Sequence, residues 1–469
     1  MGQTIIEKLW NEHSVADLGD GSHLLYIDRV LFHERTGSIA LKGLEAADRQ
    51  VRNPEQVFGC MDHIVDTIPG RTDETMVPGG KAFITTTRAA ARAAGVNLFD
   101  LGDDRQGIVH VVSPEQGIAL PGVTLVCPDS HTCTQGALGA LAWGIGSTET
   151  EHAMATKTLA VQKPKTMRVR FEGQPGRGVT AKDLILRLIG DYTASGGVGY
   201  AIEFAGEAIR AMPIEARFTL CNMAVEFGAW TGIIAPDETT YEYSKGRPFA
   251  PQGELWEQAL SHWRKLPTDA DAEFDQEIVI DCATIVPQVT WGTSPQHETG
   301  IDGVVPDPAS EADENRRRSM ERALEYMGLE PGALLEGTPI DAAFIGSCTN
   351  SRLSDLRNAA AILKGRKVAA GVNAICVPGS GLVKKAAEAE GLDKIFTDAG
   401  FEWREAGCSM CFFAGGENLG LEQRAVSSTN RNFENRQGPR TRTHLASPTT
   451  VAASAIAGKL ADVRKLEVE

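Results

Sequence analysis

The chain has 469 residues, of which 42% are hydrophobic, so it can bury more than one core and we predict two or three packed domains. Its 46 basic and 62 acidic residues give a formal net charge of −16, and such a surface repels phosphate backbones. Composition therefore argues for a soluble globular protein and against nucleic acid as its primary partner.

The sequence shows neither a membrane segment nor a disulfide pattern. No run approaches the roughly 18 apolar residues of a spanning helix, and the first residues lack the apolar core of a signal peptide. Nine cysteines, an odd number, are scattered along the chain, which favours thiols or metal ligands. We therefore predict a cytoplasmic protein without a membrane partner. Cys221, Cys282 and Cys376 lie in apolar stretches and are predicted to be small core residues.

Several segments share the order of apolar strand, polar turn and helical period, which is typical of α/β architecture. In the first of them, an apolar strand over 123–127 leads into the polar turn 128–132 and then into small residues over 136–146. The polar residues follow the carboxyl end of the strand, which is where open parallel sheets place ligand sites. We therefore expect functional side chains in the turn 128–132.

Two further segments of this kind lie in the second half of the chain. The strand 342–345 leads into the turn 346–350 and a helix over about 354–363. The strand 374–377 is followed by the turn 378–381 and another helix. We predict that these two strands share one sheet.

Between about residues 240 and 340 the chain becomes richer in Pro, Glu and Asp. This composition indicates connections, with a solvated helix at the charge cluster 311–318. We place soft domain boundaries near 165 and 295. The predicted α/β domains are 1–165, 166–295 and 296–469.

The strongest local motif is the pair Cys408 and Cys411 at C-x2-C spacing, combined with Cys348 in a strand-to-helix loop. Two such thiolates hold one metal ion or one face of a cluster, and a third must come from elsewhere in the chain. Zinc binding and redox pairing compete with a cluster, although no second cysteine pair at zinc spacing is present. Three thiolates suit a cubane with one open iron, which acts as a Lewis acid for loss of hydroxide.

A second set of candidates consists of Asp, His and Glu residues in polar turns. Asp62-His63, His110 and Asp129-Ser130-His131 lie at the ends of strand-like segments. A nearby carboxylate raises the proton affinity of an imidazole, which makes a general acid for a departing hydroxyl. Each pair also fits an ordinary surface or capping group, and Asn222 with Glu226 also fits one helix face.

A third candidate is the polar turn 430–436, in which Arg431 and Arg436 stand five residues apart. Guanidinium groups match carboxylates with two parallel hydrogen bonds. A solvated charged loop is the alternative interpretation of this turn. No GxGxxG or GxxxxGK[ST] motif is present, so nucleotide chemistry has no motif support.

Taken together and in this order, the motifs resemble the aconitase superfamily over about residues 7 to 461. The matching segments are Asp62-His63, Gly107–His110, Asp129–Thr132, Cys221–Met223, Gly346–Ser351, Gly407–Cys411 and Asn430–Phe433. Within the superfamily the chain is most similar to the branch of large subunits of bacterial 3-isopropylmalate dehydratase, or isopropylmalate isomerase. The segments that carry this second resemblance are Leu24–Arg29, Ala235–Thr240, Pro287–Thr293 and Tyr326–Leu329.

The resemblance implies three α/β domains of the aconitase type around a central cluster site. It implies that a 4Fe-4S cluster is held by Cys348, Cys408 and Cys411. The implied catalytic residues are Asp62, His63, His110, Asp129, His131 and Glu226. The implied substrate-binding residues are Arg431, Arg436, Asn222, Asn430, Ser130 and His33, the last at a position where aconitase itself carries a glutamine.

The resemblance also implies a partner. Aconitases are longer and end in a swivelling fourth domain that supplies a serine base and a further arginine, whereas this sequence stops at Glu469. A separate small subunit carrying that domain is therefore implied, and the isolated chain is expected to be an inactive part of a hydro-lyase. The implied substrate is a small hydroxy acid, 2-isopropylmalate, which is dehydrated and rehydrated to 3-isopropylmalate in leucine biosynthesis.

Two features leave the substrate open. Pro128 stands where the common leucine-pathway sequence carries glycine, and the polar segment 70–75 matches no motif. Both are compatible with another 2-substituted malate, such as citramalate or homoaconitate. Two alternatives of a different class are a regulator that binds RNA after losing its cluster and a structural zinc protein.

Overall fold

The computed structural model describes residues 2–466, so Met1 and residues 467–469, which the first and third predicted domains include, lie outside the described part. The described chain mixes helices with parallel sheets, which confirms the predicted α/β class. It divides into two compact units, each made of three segments. Unit 1 consists of Met1–Ile64, Gly79–Gly173 and Gly197–Asp281, and unit 2 of Val65–Pro78, Gln174–Gly196 and Cys282–Glu469. The division into three domains stays a prediction.

The helices and strands are numbered in chain order. The α-helices are α1 Ile5–His13, α2 Gly37–Ala46, α3 Gly80–Ala94, α4 Val109–Glu115, α5 Ser147–Thr156, α6 Ala181–Tyr192, α7 Glu207–Ala211, α8 Ile214–Asn222, α9 Glu238–Ser244, α10 Glu254–Trp263, α11 Glu314–Met327, α12 Leu353–Leu363, α13 Gly381–Ala389, α14 Leu392–Ala399 and α15 Pro448–Ala457. The strands are β1 Ser14–Gly19, β2 Ser22–Tyr26, β3 Arg29–His33, β4 Val57–Cys60, β5 Asn97–Phe99, β6 Thr124–Cys127, β7 Leu141–Gly144, β8 Thr158–Gln162, β9 Lys165–Glu172, β10 Tyr200–Ala205, β11 Thr231–Ile233, β12 Gln276–Asp281, β13 Gln288–Thr290, β14 Glu298–Gly300, β15 Ala342–Ile345, β16 Asn373–Cys376, β17 Phe401–Trp403, β18 Arg424–Ser427 and β19 Arg442–Leu445. Short 3-10 helices include Ser130–Leu138, Val225–Phe227 and Ser409–Cys411.

Unit 1 is built on a five-stranded parallel sheet in the order β5-β4-β3-β6-β7. Every residue of β4 and β6 is buried, as expected for strands covered on both faces. A second parallel sheet has the order β11-β10-β9-β12, and the antiparallel strands β1, β2 and β8 form a third sheet. Trp10 and Phe32 are among the large side chains of the core. The carboxyl ends of β3, β4 and β6 therefore meet at one edge of the first sheet.

Unit 2 is built on a second five-stranded parallel sheet, in the order β17-β16-β15-β18-β19. The central strand β15 is buried throughout, and Phe344 packs in a core with Ile375 and Met410. A short antiparallel hairpin of β13 and β14 completes the sheets of this unit. The carboxyl ends of β15, β17 and β18 also lie at one edge.

Two of the three predicted strand–turn–helix segments form as expected, whereas the helical period expected over 136–146 is wrong, because the 3-10 helix Ser130–Leu138 and the strand β7 lie there. β6 precedes the turn at Pro128, β15 precedes α12 and β16 precedes α13. The pairing of β15 with β16 confirms that these two strands share a sheet. The helix predicted at the charge cluster is α11. Its N-cap residue is Asp313, whose side chain accepts a hydrogen bond from the backbone N–H of Arg316.

The region between residues 240 and 340 contains more regular structure than the sequence pattern indicated. Helices α9 and α10 and strands β12 to β14 lie there, each at most ten residues long. Such short elements span too few residues for a clear hydrophobic period. No helix within residues 2–466 is long and apolar enough to cross a membrane.

Candidate active site

Three strands of unit 1 deliver polar residues to the same edge of their parallel sheet. β3 ends at His33, β4 ends two residues before Asp62, and β6 ends two residues before Asp129. Because parallel strands place their carboxyl ends together, residues distant in sequence meet there. The histidine–carboxylate network, as we call it, comprises Asp62, His63, His110, Asp129, His131 and Glu226.

His63 lies between two carboxylates. Its Nδ1 is 2.6 Å from Oδ1 of Asp62, and its Nε2 is 3.3 Å from Oδ2 of Asp129. Burial alone would raise the pKa of Asp62, but the charge and hydrogen bond of His63 lower it below its usual value. An ionised carboxylate only accepts hydrogen bonds, so both ring nitrogens of His63 carry a proton. The arrangement therefore holds an acidic proton on this imidazole.

Asp129 is shared by three histidines. Its Oδ1 is 2.9 Å from Nε2 of His110 and accepts the backbone N–H of His131 at 2.8 Å, while its Oδ2 faces His63. Burial opposes ionisation of Asp129, but the His110 imidazole and the other two partners hold its pKa well below its usual value. The carboxylate therefore stays charged at the centre of the network.

Glu226 is the second carboxylate that orients His131. Oε1 of Glu226 lies 2.9 Å from Nε2 of that histidine. Asn222 is the last residue of α8, whereas Glu226 lies beyond it in a separate 3-10 turn, so the two do not share one helix face. The buried Asn222 side chain donates from Nδ2 to Oγ1 of Thr134 at 2.9 Å, which braces the segment after His131.

His33 stacks on His63, with ring centroids 4.0 Å apart. Its Nε2 is 3.2 Å from the carbonyl oxygen of Pro128, so this hydrogen bond assigns the proton to Nε2 and a lone pair to Nδ1. Burial and the charge of His63 lower the pKa of His33 to about 4, so the ring is neutral at neutral pH. The buried Nδ1 has no partner among the described residues, which leaves an acceptor for a ligand.

Glu34 is a residue of this site that the sequence analysis missed. Its fully buried carboxylate accepts the N–H of Asp62 at 2.9 Å and the N–H of Ile64. Burial and the Asp62 carboxylate raise the pKa of Glu34 to about 7. The side chain therefore fixes the turn that carries Asp62 and His63. A glutamate directly after an apolar strand was the signal that could have revealed it.

The predicted placement of His110 at the end of a strand-like segment is wrong. His110 lies in the first turn of α4, where the N–H of Val109 is bonded to Oδ2 of Asp62 at 2.9 Å. This bond satisfies one of the free N–H groups at the helix start, which allows a helix in an apolar segment. Ser130, a predicted substrate residue, is exposed, with Oγ 3.5 Å from Nδ1 of His131.

Unit 2 places the three predicted ligand cysteines on loops at one edge of its sheet. Cys348 follows β15, and Cys408 and Cys411 follow β17. All three thiols are buried, and none forms a disulfide. We call these residues the cysteine site. Cys221, Cys282 and Cys376 are also buried and form no disulfide, in agreement with the prediction that they are core residues.

Asn430, on the loop after β18, contacts both cysteine loops. Its Nδ2 is 3.5 Å from Sγ of Cys348, and its Oδ1 is 4.0 Å from Sγ of Cys411. Ser347 and Ser409 have φ values of 83° and 48°, in the left-handed region that residues other than glycine rarely adopt. Such backbone strain beside a cluster of thiols is typical of ligand-binding loops.

Arg436 is buried beside Cys411 and has no carboxylate partner within residues 2–466. Its Nη2 is 4.0 Å from Sγ of Cys411, and its guanidinium lies 5.2 Å from the ring centroids of Phe412 and Phe433. Its buried Nε has no partner among the described residues. A buried cation in this situation is stabilised by a bound anion. Arg431, the other predicted arginine, lies half-buried in the same turn.

The polar segment 70–75, which matched no motif, lies in the part of unit 2 that supports the C-x2-C turn. Nη1 of Arg71 donates to the carbonyl oxygen of Ala406 at 2.6 Å. The carbonyl oxygen of Thr67 accepts the N–H of Glu405 at 2.7 Å. Both contacts hold the backbone that leads directly into the two cysteines.

Glu417 is a second residue that the sequence analysis missed. Its Oε2 accepts hydrogen bonds from Oγ1 of Thr67 at 2.6 Å and Oγ of Ser409 at 2.7 Å. It also pairs with Nη1 of Arg404 at 3.0 Å. Because Ser409 lies inside the C-x2-C turn, Glu417 fixes the turn. No local sequence signal distinguishes this glutamate from a solvated one.

The cysteine site suits a cluster better than a single ion. Sulfur ligands lie about 2.3 Å from one zinc ion, hence within roughly 4 Å of one another. Within residues 2–466, the donor atoms that gather within 4.8 Å belong instead to His33, Glu34, Asp62 and His63, whose carboxylates already accept hydrogen bonds. Three separated thiols with a buried cation beside them fit an anionic iron–sulfur cluster.

Comparison with known proteins agrees with the motifs. Residues 7–458 match the aconitase family, described as aconitate hydratase. The chain belongs to this family. It is 56% identical over 466 residues to "3-isopropylmalate dehydratase large subunit 1" of Bradyrhizobium diazoefficiens, which covers 99% of this chain and 97% of that one. The family resemblance in the ordered motifs is thereby confirmed.

A solved structure shows a more distant likeness. The crystal structure of holo-form aconitase X from Thermococcus kodakaraensis matches 91% of this chain and 89% of its own. Its sequence identity is 12% and the TM-score is 0.46, too low to carry an argument. The assignment to the family therefore depends on the sequence matches.

Proposed function

We propose that this chain is the large subunit of a 3-isopropylmalate dehydratase, which interconverts 2-isopropylmalate and 3-isopropylmalate in leucine biosynthesis. The relative that is 56% identical over nearly the whole chain carries that name. The chain is part of a hydro-lyase, its cofactor is a 4Fe-4S cluster, and it works with a separate small subunit. We also propose that the small subunit carries the swivelling domain and that the protein is cytoplasmic.

The structural observation that carries the proposal is the cysteine site at the carboxyl edge of the unit 2 sheet. Cys348, Cys408 and Cys411 would hold the cluster, and the amide of Asn430 would donate to the sulfur of Cys348. When bound, the cluster supplies an iron without a protein thiolate, a Lewis acid for the substrate hydroxyl. Arg436, which has no carboxylate partner in the described chain, would bind a substrate carboxylate.

The histidine–carboxylate network would supply the proton for the departing hydroxyl. His63 carries a proton on each ring nitrogen because both face carboxylates. Transfer of one proton to the leaving hydroxyl releases water and leaves a neutral imidazole, while a base, which the family resemblance assigns to the small subunit, takes the proton from the neighbouring carbon as the double bond forms. Rehydration reverses both transfers. His110, His131 and Glu226 would hold Asp129 and its neighbours in place. The support for assigning these residues to the reaction is that they belong to the motifs of the family.

The remaining predicted residues would bind the substrate. His33 presents a lone pair on Nδ1 that can accept a hydrogen bond from a hydroxyl or a protonated carboxyl group. Arg431 would share carboxylate binding with Arg436. Asn222 and Ser130 would add polar contacts, as the family motifs imply.

The cofactor is tested by anaerobic iron and sulfide analysis with the visible spectrum. We expect about four irons and four sulfides per chain. Cys411→Ser should lose the cluster, whereas Cys376→Ser, a matched change at a buried cysteine of the β16 strand, should keep it. Zinc in place of iron, or a cluster indifferent to Cys411, would contradict the proposal.

The substrate is tested on the complex of both subunits. We expect the highest kcat/KM for 2-isopropylmalate among candidates that include citramalate and homoaconitate. The chain alone should show no turnover, and the small subunit should restore it. A clear preference for citramalate would contradict the assignment to leucine biosynthesis and leave the hydro-lyase class intact.

A further inference from the structure

Lys182, in the first turn of α6, is a fully buried lysine. Its Nζ donates to the carbonyl oxygen of Ser428 at 2.9 Å and to that of Thr429, and lies 3.5 Å from Oδ1 of Asn350. Three acceptors match the three hydrogens of an ammonium, whereas an amine would turn its lone pair towards one of these oxygens. The geometry therefore fits the charged form.

No carboxylate within residues 2–466 forms an ion pair with Lys182. The nearby Asp183 accepts the N–H of Gln288 at 2.7 Å, and Asp355 accepts from Nδ2 of Asn350 at 3.0 Å. Burial lowers the pKa of Lys182 to about 7, and Asp183 and Asp355 are among the groups whose charge opposes this effect. A buried cation without a direct counter-charge is unfavourable unless an anion binds near it.

The groups that hold Lys182 belong to the loops of the cysteine site. Ser428 and Thr429 directly precede Asn430, whose Nδ2 is 3.5 Å from Sγ of Cys348. Asn350 lies two residues after Cys348 on the loop that follows β15. Lys182 thus connects the loops after β15 and β18 within unit 2. Within residues 2–466 its Nζ hydrogen-bonds to these loops and to none of the three thiols.

We propose that Lys182 is a positioning residue of the iron–sulfur site, whose ammonium serves as a fixed counter-charge of the cluster and holds the loop that directs Asn430 to Cys348. This inference rests on the 4Fe-4S cluster of the proposed function. A positive charge near the cluster favours its more negative, reduced state and so raises the reduction potential. In the apo protein the same charge lies buried without its anion, which is destabilising.

The test is Lys182→Met, which keeps an unbranched side chain, one heavy atom shorter, and removes the charge. In the holoprotein we expect a more negative midpoint potential, an altered EPR spectrum of the reduced cluster and about 10- to 100-fold weaker retention of iron. In the apo protein we expect a Tm equal to or above that of the unsubstituted apo chain. The substitution should therefore lower the Tm of the holoprotein without lowering that of the apo protein.

The matched control is Lys157→Met in unit 1. Lys157 is also buried and donates from Nζ to a backbone carbonyl oxygen, that of Asp28, at 2.7 Å. Its removal should leave the midpoint potential unchanged. Any change in Tm should be the same with and without the cluster.

The inference is overturned if Lys182→Met keeps the potential and the EPR spectrum and lowers Tm equally in both forms, because this is the result of a purely structural role. If this variant does not fold, Lys182→Arg decides, since it keeps the charge. A potential close to the original supports the inference, and a negative shift overturns it. Absence of iron and sulfide from the unsubstituted chain is a separate result that contradicts the proposed function as well.

Discussion

At the scale of single residues, the two stacked imidazoles of unit 1 show how partners decide protonation. His63 faces two carboxylates and carries a proton on each nitrogen, whereas His33 faces the carbonyl of Pro128 and is neutral. The rings lie 4.0 Å apart, so the charge on one disfavours a charge on the other. One ring is therefore suited to give a proton and the other to accept a hydrogen bond.

The central role of Asp129 gives a prediction for catalysis. In Asp129→Asn the amide oxygen can still accept from His110 and His131, but the amide nitrogen then faces Nε2 of His63. The amide N–H and a protonated Nε2 of His63 are both donors, so His63 cannot keep the proton on Nε2. We expect kcat of the two-subunit enzyme to fall roughly 100- to 10,000-fold, with unchanged iron content.

Asp103→Asn is the control for that prediction. Asp103 pairs with Arg105 at 2.7 Å, and Arg105 is exposed, so the substitution removes a carboxylate from the surface of the same unit. It should leave kcat unchanged. An Asp129→Asn enzyme that retains its kcat would remove Asp129 from the proposed mechanism.

A second residue-scale prediction concerns stability and pH. Oε2 of Glu298 is buried without a partner in the described chain, and burial raises the pKa of Glu298 to about 8 from its ordinary 4.5. The folded state then binds the proton more tightly than the unfolded state. This contribution to stability is fully present below about pH 4.5 and is lost as pH rises through about 8.

Glu298→Gln removes this titration. We expect its Tm to match that of the original protein near pH 5 and to exceed it at pH 8.5, with a difference in unfolding free energy on the order of 3 kcal/mol. Thermal scans across this pH range provide the measurement. Glu330→Gln, at an exposed position, should give parallel curves. A pH-independent difference for Glu298→Gln would contradict the prediction.

At the scale of elements, the carboxyl ends of short parallel strands organise both sites. Each strand of the two central sheets is only three to five residues long, and buried backbone hydrogen bonds fix where its loop begins. The loops themselves are held by side chains such as Glu34 in unit 1 and Glu417 in unit 2. Because these hydrogen bonds already order the loop, its functional side chains lose little further conformational entropy when a ligand binds.

Glu417 gives the prediction at this scale. Glu417→Gln weakens the bonds to Thr67 and Ser409 that fix the C-x2-C turn, because an amide has one acceptor oxygen in place of two. We expect iron retention against a chelator to weaken by about 10- to 100-fold. Glu422→Gln, which alters the exposed pair with Arg440, should retain iron normally. Equal rates of iron loss in the two variants would contradict the role of Glu417.

At the scale of the whole molecule, the chain passes repeatedly between its two units, and each unit holds one set of functional residues. The histidine–carboxylate network lies in unit 1, and the cysteine site lies in unit 2. In unit 1 the histidines of the network are paired with carboxylates of the same unit. The second has buried cations, Lys182 and Arg436, that carry no ion pair in residues 2–466, so its stability should depend on the bound cluster.

Removal of the cluster should therefore lower Tm. Binding to the folded state alone stabilises it, and the buried cations lose their counter-charge when the cluster leaves. We expect a holo–apo difference in anaerobic thermal scans that disappears in Cys411→Ser and persists in Cys376→Ser. Equal Tm values of the holo and apo forms would contradict this prediction.

Much of the protein could be predicted from local sequence. The strand and turn at 123–132 and the strand–turn–helix segments at 342–363 and 374–389 follow from hydrophobic runs and turn residues, because these features act over a few neighbours. The ordered motifs around Asp62-His63 and Cys348 were sufficient to predict the family, which the matches confirm. The roles of the individual site residues stay predictions.

Only the tertiary structure decided which groups are buried and which partners they meet. Lys182 and Glu417 look like solvated charges in the sequence, and both are enclosed by loops hundreds of residues away. His110 follows an apolar run that resembles a strand, yet Asp62, 48 residues earlier, helps to start a helix there. The sequence by itself determined the family and the strands and turns of the three predicted segments. Burial and pairing depend on distant contacts, which no local pattern contains.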